Sequence, residues 1–139
     1  MSLLLNLLWL IFGGGLLIVA QYLFVGILLC LTIIGIPFGV QCFKIAGLAL
    51  SPFGKEIKQP PRASVFETLT GSLLNILWFL LAGLWIFLSH VTLAVVLMLT
   101  IIGIPFALQH VKLGVLALLP FGREVSTLQP HSSSRPIPR

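Results

Sequence analysis

Leu31-Thr32-Ile33-Ile34-Gly35-Ile36-Pro37-Phe38 is spelled again, letter for letter, at residues 99–106. Each octet is followed by a glutamine, a lysine and a closing Pro-Phe-Gly: Gln41, Lys44 and 52–54 in the first copy, Gln109, Lys112 and 120–122 in the second. At a constant shift of 68, residues 31–57 and 99–125 agree at 17 of 27 positions, far more than chance supplies. Upstream the match continues at a shift of 69, pairing Asn6 with Asn75 and Trp9 with Trp78. The first copy therefore carries one extra residue, assigned to Gly13-Gly14-Gly15. The chain is a tandem duplication, a device that membrane proteins use in parallel or inverted form.

The medium around the repeats follows from composition. The chain is 58% hydrophobic and 8% charged, with a mean hydropathy of +1.16, whereas soluble domains have about 25% charged residues. No Asp, Glu, Lys or Arg occurs in residues 1–43 or 68–111, and each stretch is about twice the 20 residues that cross a bilayer. An all-α integral membrane protein is expected. Residues 1–20 lack a basic leader and place Ile18 where cleavage after Ala20 needs a small residue, so the first apolar stretch is expected to remain. Cys30 and Cys42 have no metal-ligand spacing and read as buried thiols.

Within each copy the first helix is expected over 3–20, with a tight turn at Gln21 or at Ser89-His90. A second helix then starts near Tyr22 or Val91 and breaks at Gly35-Ile36-Pro37 or Gly103-Ile104-Pro105, because proline removes a donor and clashes with the preceding turn. The segment 38–51 should be an amphipathic or re-entrant helix carrying Gln41 and Lys44 on one side, stopped by Pro-Phe-Gly. These readings divide the chain into repeat 1 (3–57), a cytoplasmic linker (58–70), repeat 2 (71–125) and a disordered tail (126–139). Lys55, Lys58 and Arg62 follow the first repeat, and Arg123, Arg135 and Arg139 follow the second. The positive-inside rule sets both groups on the cytoplasmic side. Two parallel repeats, about four crossings and cytoplasmic termini follow; an odd number of spans per copy would instead invert one repeat.

Lys44 and Lys112 are the sharpest candidates, since a lysine at mid-bilayer costs about 2.5–3.5 kcal/mol on insertion scales. They either snorkel to phosphates from an interfacial helix or, with Gln41 and Gln109, ring a polar path that favours anions. Asn6 and Asn75 are expected to link the two first helices across the repeat axis, with Trp9 and Trp78 in the interfacial belt. His90 is expected at a water-exposed outer turn, while His110 has no counterpart, because Cys42 stands there. The three acids Glu56, Glu67 and Glu124 lie in basic loops, and no catalytic, phosphate-binding or metal motif accompanies them. A non-enzyme without cofactor or metal is expected, and the net charge of +5 suits anionic lipid headgroups rather than nucleic acid.

The doubled Ile-Ile-Gly-Ile-Pro-Phe, the Gln and Lys after it, the Pro-Phe-Gly stop and the earlier Asn-x-x-Trp together resemble the bacterial YccF family, or inner membrane component domain. The resemblance covers both copies. It implies a small bacterial inner-membrane protein, in a family whose molecular activity is uncharacterised. The family's Pro-Phe-Gly-x-Gln-x-Phe-Lys pattern is complete at Pro37, Phe38, Gly39, Gln41, Phe43 and Lys44, but the second copy has Ala107 and Val111 in place of Gly and Phe. Two functions are carried forward: a homo-oligomer conducting ions or small solutes along the Gln41/Lys44 and Gln109/Lys112 surfaces, and an accessory or scaffold subunit of a larger membrane complex.

Overall fold

A computed structural model describes residues 2–58 and 65–127. Helices α1 (Ser2–Phe12), α2 (Gly15–Cys30) and α3 (Ile36–Leu50) and strand β1 (Lys55–Lys58) form the first unit. The second comprises α4 (Val65–Trp78), a π-helical turn (Phe79–Gly83), α5 (Leu84–Met98), α6 (Ile104–Leu118) and β2 (Glu124–Thr127). Long runs of Leu, Ile and Val make helices here because in lipid every backbone group needs an internal partner. Glu67–Met98 is one 32-residue stretch long and apolar enough to cross a membrane, and α1 with α2 passes the same test as a pair bent by 73°.

The turn expected at Gln21 and at Ser89-His90 is absent: α2 runs through Gln21, and α5 runs through Ser89 and His90. These polar residues do not need water, because the Gln21 amide donates to the Ser89 hydroxyl at 3.0 Å. The chain reverses instead at residues 31–35 and 99–103, where α2 folds back against α3 and α5 against α6. Gly35 and Gly103 close these turns, and Pro37 and Pro105 sit in the first turn of α3 and α6, where a missing N–H leaves no bond unmade. The Gly-Ile-Pro break thus starts a helix after a turn rather than kinking a continuous one.

The extra residue of repeat 1 has a visible effect. In repeat 2, Gly83 is the fifth residue after Trp78, and a π turn absorbs the surplus, with the Leu84 N–H donating to Phe79 O five residues back. Repeat 1 takes six residues from Trp9 to Gly15 and breaks: Gly14 adopts φ 74°, a left-handed conformation that glycine reaches at no steric cost. Both routes bring glycine backbone onto the tryptophan ring, and a Cβ at Gly15 or Gly83 would strike that indole.

A single core joins the repeats, and it is built by exchange. Phe38 stacks on Trp78 and meets Phe121 edge-on, while Phe106 reaches Trp9 and meets Phe53 edge-on. β1 pairs antiparallel with β2, Ile57 opposite Val125. Strand β1 closes the first unit where no strand was expected, and Val65–Thr70, within the expected linker 58–70, belongs to α4. Ser126 and Thr127 lie in β2, and the rest of the expected tail, 128–139, is outside the described residues.

Candidate functional site at the interface between the repeats

The repeated polar letters converge on the C-terminal ends of α3 and α6. A helix end leaves four carbonyls without intrahelical partners, and burying them in an apolar medium demands donors from elsewhere. Trp9 Nε1 donates to Ala49 O at 2.7 Å, and Trp78 Nε1 donates to Ala117 O at 2.5 Å. Both indoles are fully buried, so the tryptophans are internal caps and not members of an interfacial belt. Asn6 holds the Phe53 peptide from both sides, accepting from its N–H at 2.9 Å and donating to its oxygen at 3.2 Å. Asn75 does the same for Phe121 at 3.0 and 3.2 Å. Each asparagine thus clamps its own repeat's Pro-Phe-Gly turn, which corrects the expected link between the two first helices.

The lysines complete the set from the opposite repeat. Lys44 Nζ donates to Pro120 O at 2.7 Å and Arg123 O at 3.1 Å. Lys112 Nζ donates to Pro52 O at 2.6 Å and Lys55 O at 3.1 Å. The two clasps are mirror uses of equivalent residues, and each puts a positive charge near the negative end of a helix dipole. Gln41 and Gln109, one turn earlier, each keep a buried side-chain oxygen without a donor. Gly54 and Gly122 carry the chain through the turn at φ 87° and 77°.

Deeper between the units lies a chain of hydrogen bonds that sequence reasoning did not assemble. Tyr22 O–H meets His90 Nε2 at 3.0 Å, His90 Nδ1 meets His110 Nδ1 at 3.0 Å, and His110 Nε2 meets Gly13 O at 2.7 Å. The carbonyl can only accept, so His110 carries its proton on Nε2 and accepts at Nδ1. His90 must then donate from Nδ1 and accept at Nε2 from the tyrosine. All three side chains are satisfied, with one direction of donation from Tyr22 to Gly13. His90 is 1% exposed, which overturns its expected place at an aqueous turn.

The terminal acceptor explains why His110 lacks a counterpart. Breaking the helix at Gly14 leaves the Gly13 carbonyl without its usual partner, and His110 of the other repeat supplies the donor. Repeat 2 stays helical through its π turn, and the position equivalent to His110 in repeat 1 holds the buried free thiol of Cys42. One signal could have found this site: a polar side chain in a charge-free apolar run, unmatched in the sister repeat, facing a glycine insertion also unmatched there.

Tyr22 and His90 occupy the same position in the two repeats, as do Gln21 and Ser89, each pair 68 residues apart. Ile57 and Val125 repeat that offset at the centre of the strand pair. Equivalent residues meeting one another, together with exchanged lysine and phenylalanine contacts, define a pseudo-two-fold axis, as in an isologous interface. Both Pro-Phe-Gly turns and both strands lie at one end of it. Among the described residues, no cluster of three His, Cys, Asp or Glu could hold a metal. The ion pair of Lys58 with Glu56 at 2.5 Å is on the surface.

Comparison with known proteins agrees with this two-unit reading. The inner membrane component domain matches residues 4–55 and, a second time, 73–123. The inner membrane protein YccF of Escherichia coli strain K12 is 29% identical over 127 residues, covering 88% of this chain and 86% of that protein. The protein of the same name from Shigella flexneri matches to the same extent. No solved structure matches significantly. Two matched units, each coinciding with one hairpin and its capped turn, make this chain a member of the YccF family of inner-membrane proteins.

Proposed function

We propose that the chain acts as a non-catalytic scaffold or accessory subunit within the inner membrane, binding a larger membrane partner rather than conducting solutes itself. One observation carries this reading: the ammonium groups of Lys44 and Lys112, the charges best suited to line a conduit, each donate to two backbone carbonyls of the opposite repeat. A charge committed to holding the fold is a poor lining for a path, because an ion passing it would have to compete with the carbonyls it caps. The other polar side chains between the units are likewise turned inward, whereas the outer surface is predominantly aliphatic.

Orientation in this reading follows the basic residues, with the strand pair and both termini on the cytoplasmic face and anionic headgroups against Lys55, Lys58 and Arg123. Two measurements separate the subunit from a homo-oligomeric conduit. Purified protein in liposomes should leave ionic and small-solute gradients intact, and crosslinking in native membranes should yield a heteromeric product. A current or tracer flux that changes on Lys44→Ala with Lys112→Ala would restore the conduit, as would crosslinks to further copies of this chain alone.

A further inference from the structure

The turns at 31–35 and 99–103 combine two properties that neither the core nor the clasps explain. Leu31, Ile33 and Ile34 are 77%, 87% and 79% exposed, and Leu99, Ile101 and Ile102 are 82%, 87% and 80% exposed. A turn facing water is ordinarily made of Gly, Pro, Asn, Asp and Ser, and so much aliphatic surface is unfavourable there. Yet each turn also leaves main-chain donors open. The N–H groups of Thr32, Gly35 and Ile36 find acceptors within the turn, as do those of Thr100, Gly103 and Ile104, whereas those of Ile33, Ile34, Ile101 and Ile102 find none among the described residues. Hydrocarbon alone would leave these four amides unbonded, which lipid-exposed backbone does not tolerate. Neither bulk water nor acyl chain by itself suits such a surface.

The level of the turns agrees with this mixed character. Glu67–Met98 has 32 residues, about 48 Å at a rise of about 1.5 Å per residue. The hydrocarbon core is about 30 Å thick, and the headgroup layers bring the bilayer to about 40–45 Å. With Glu67 on the side of the strand pair, Met98 emerges from the core on the other side, and residues 99–103 lie in the far headgroup layer. α3 and α6, of 15 residues each, lead from the two turns to the two Pro-Phe-Gly turns, which share one end of the pseudo-two-fold axis. Residues 31–35 therefore reach the same layer as 99–103.

The polar side chain of each turn is already committed. Thr32 Oγ1 donates to Leu29 O at 3.0 Å and accepts from Gly35 N–H at 3.1 Å, and Thr100 repeats this with Leu97 O and Gly103 N–H. The donors that each turn offers outward are thus two amides, set beside three aliphatic side chains. Phosphate and glycerol-ester oxygens accept hydrogen bonds and donate none, and they lie directly above the first carbons of the acyl chains. The geometry points to the two turns as a phospholipid-binding surface in the leaflet remote from the strand pair. The Ile33, Ile34, Ile101 and Ile102 amides donate to lipid phosphate and ester oxygens, and the six aliphatic side chains enter the upper acyl region. No Asp, Glu, Lys or Arg occurs in residues 1–43 or 68–111, so recognition rests on groups common to phospholipids and not on a headgroup charge. This inference goes beyond the scaffold reading and does not depend on it.

Two measurements on the full chain in phosphatidylethanolamine and phosphatidylglycerol vesicles test it. With isotope-labelled isoleucine in the unaltered sequence, solid-state NMR should show the Ile33, Ile34, Ile101 and Ile102 amide signals dephased by lipid phosphorus or by a labelled lipid ester carbon. Amides untouched by either nucleus would overturn the inference. Fluorophores on Ile33→Cys and on Ile101→Cys, each combined with Cys30→Ala and Cys42→Ala, report depth. Lipids carrying a nitroxide in the headgroup should quench them about twofold or more strongly than lipids carrying it at the chain end, as expected for a label outside the hydrocarbon core. Stronger quenching from the chain end would put the turns in the core, and no quenching from either would put them in water or beneath another protein; both results overturn the inference.

Discussion

The bend of repeat 1 and the bend of repeat 2 solve one problem with different numbers of residues. Both must bring a glycine onto a tryptophan whose indole caps the C-terminal end of α3 or α6. Repeat 2 does so with a single surplus residue and a π turn in which the Leu84 N–H reaches Phe79 O. Repeat 1 has one residue more, and a second surplus is beyond what a π turn absorbs, so the helix opens and bends by 73°. The opened helix frees a carbonyl, and the sister repeat answers it with a histidine. A local insertion is thus coupled to a side chain 97 residues away, and the symmetry of the duplication is broken at both places together.

This contrast is most directly broken at its point of coupling. His110→Leu leaves the Gly13 carbonyl and the His90 Nδ1–H both buried without partners, and unmade buried bonds cost about 1–3 kcal/mol each, giving a loss of about 2–6 kcal/mol. Cys42→Ala, at the equivalent position of repeat 1, should lose no more than about 1.5 kcal/mol, since only a small volume is removed. Thermal denaturation in detergent, followed by the helical circular dichroism signal, compares them; equal losses would mean that the two positions are not differentiated by the bend.

The shared part of the two bends predicts a parallel rather than a divergent result. Gly15→Ala and Gly83→Ala both drive a methyl group into an indole, and overpacking of this kind costs about 1–3 kcal/mol. The two losses should agree within error, and indole fluorescence should shift in both. A tolerated Gly15→Ala beside a damaging Gly83→Ala would show that the open bend relaxes freely and that the tryptophan contact is not its purpose.

The smallest effect sharpens the direction of the hydrogen-bonded chain. Tyr22→Phe removes the first donor and should cost about 0.6–1.7 kcal/mol, the range of interhelical bonds in bilayers. Combined with His110→Leu, its loss should be less than additive, because residues of one network couple. Full additivity in the double-mutant cycle would separate Tyr22 from the histidines.

The duplication, the Gly-Pro boundaries and the Pro-Phe-Gly stops were legible in the letters because each depends on neighbouring residues. The helix 38–51 was recovered as α3 to within two residues at its start and one at its end. The reversal point was misplaced because Gln21, Ser89 and His90 were read as seeking water, when each finds its partner in the other repeat. Polarity within an apolar run has two outlets, solvent or another polar side chain, and a one-dimensional reading cannot see the second. The same limit hid the strand pair: four residues of β1 acquire a partner only when β2 arrives from the far end of the chain. Lys44 and Lys112 were singled out as unusual. Their carbonyl partners lay 76 and 60 residues away, beyond the reach of any periodicity.

The axis through residues 22 and 90 has a bearing on why the two units share one polypeptide. A chain carrying one unit would have to meet a second copy of itself there, tyrosine against tyrosine or histidine against histidine, with each side obliged to be both giver and taker of the same proton. Fusing the units releases that obligation. One side can become a phenol and the other an imidazole, and polarity acquires a sense of direction that no pair of identical subunits could give it.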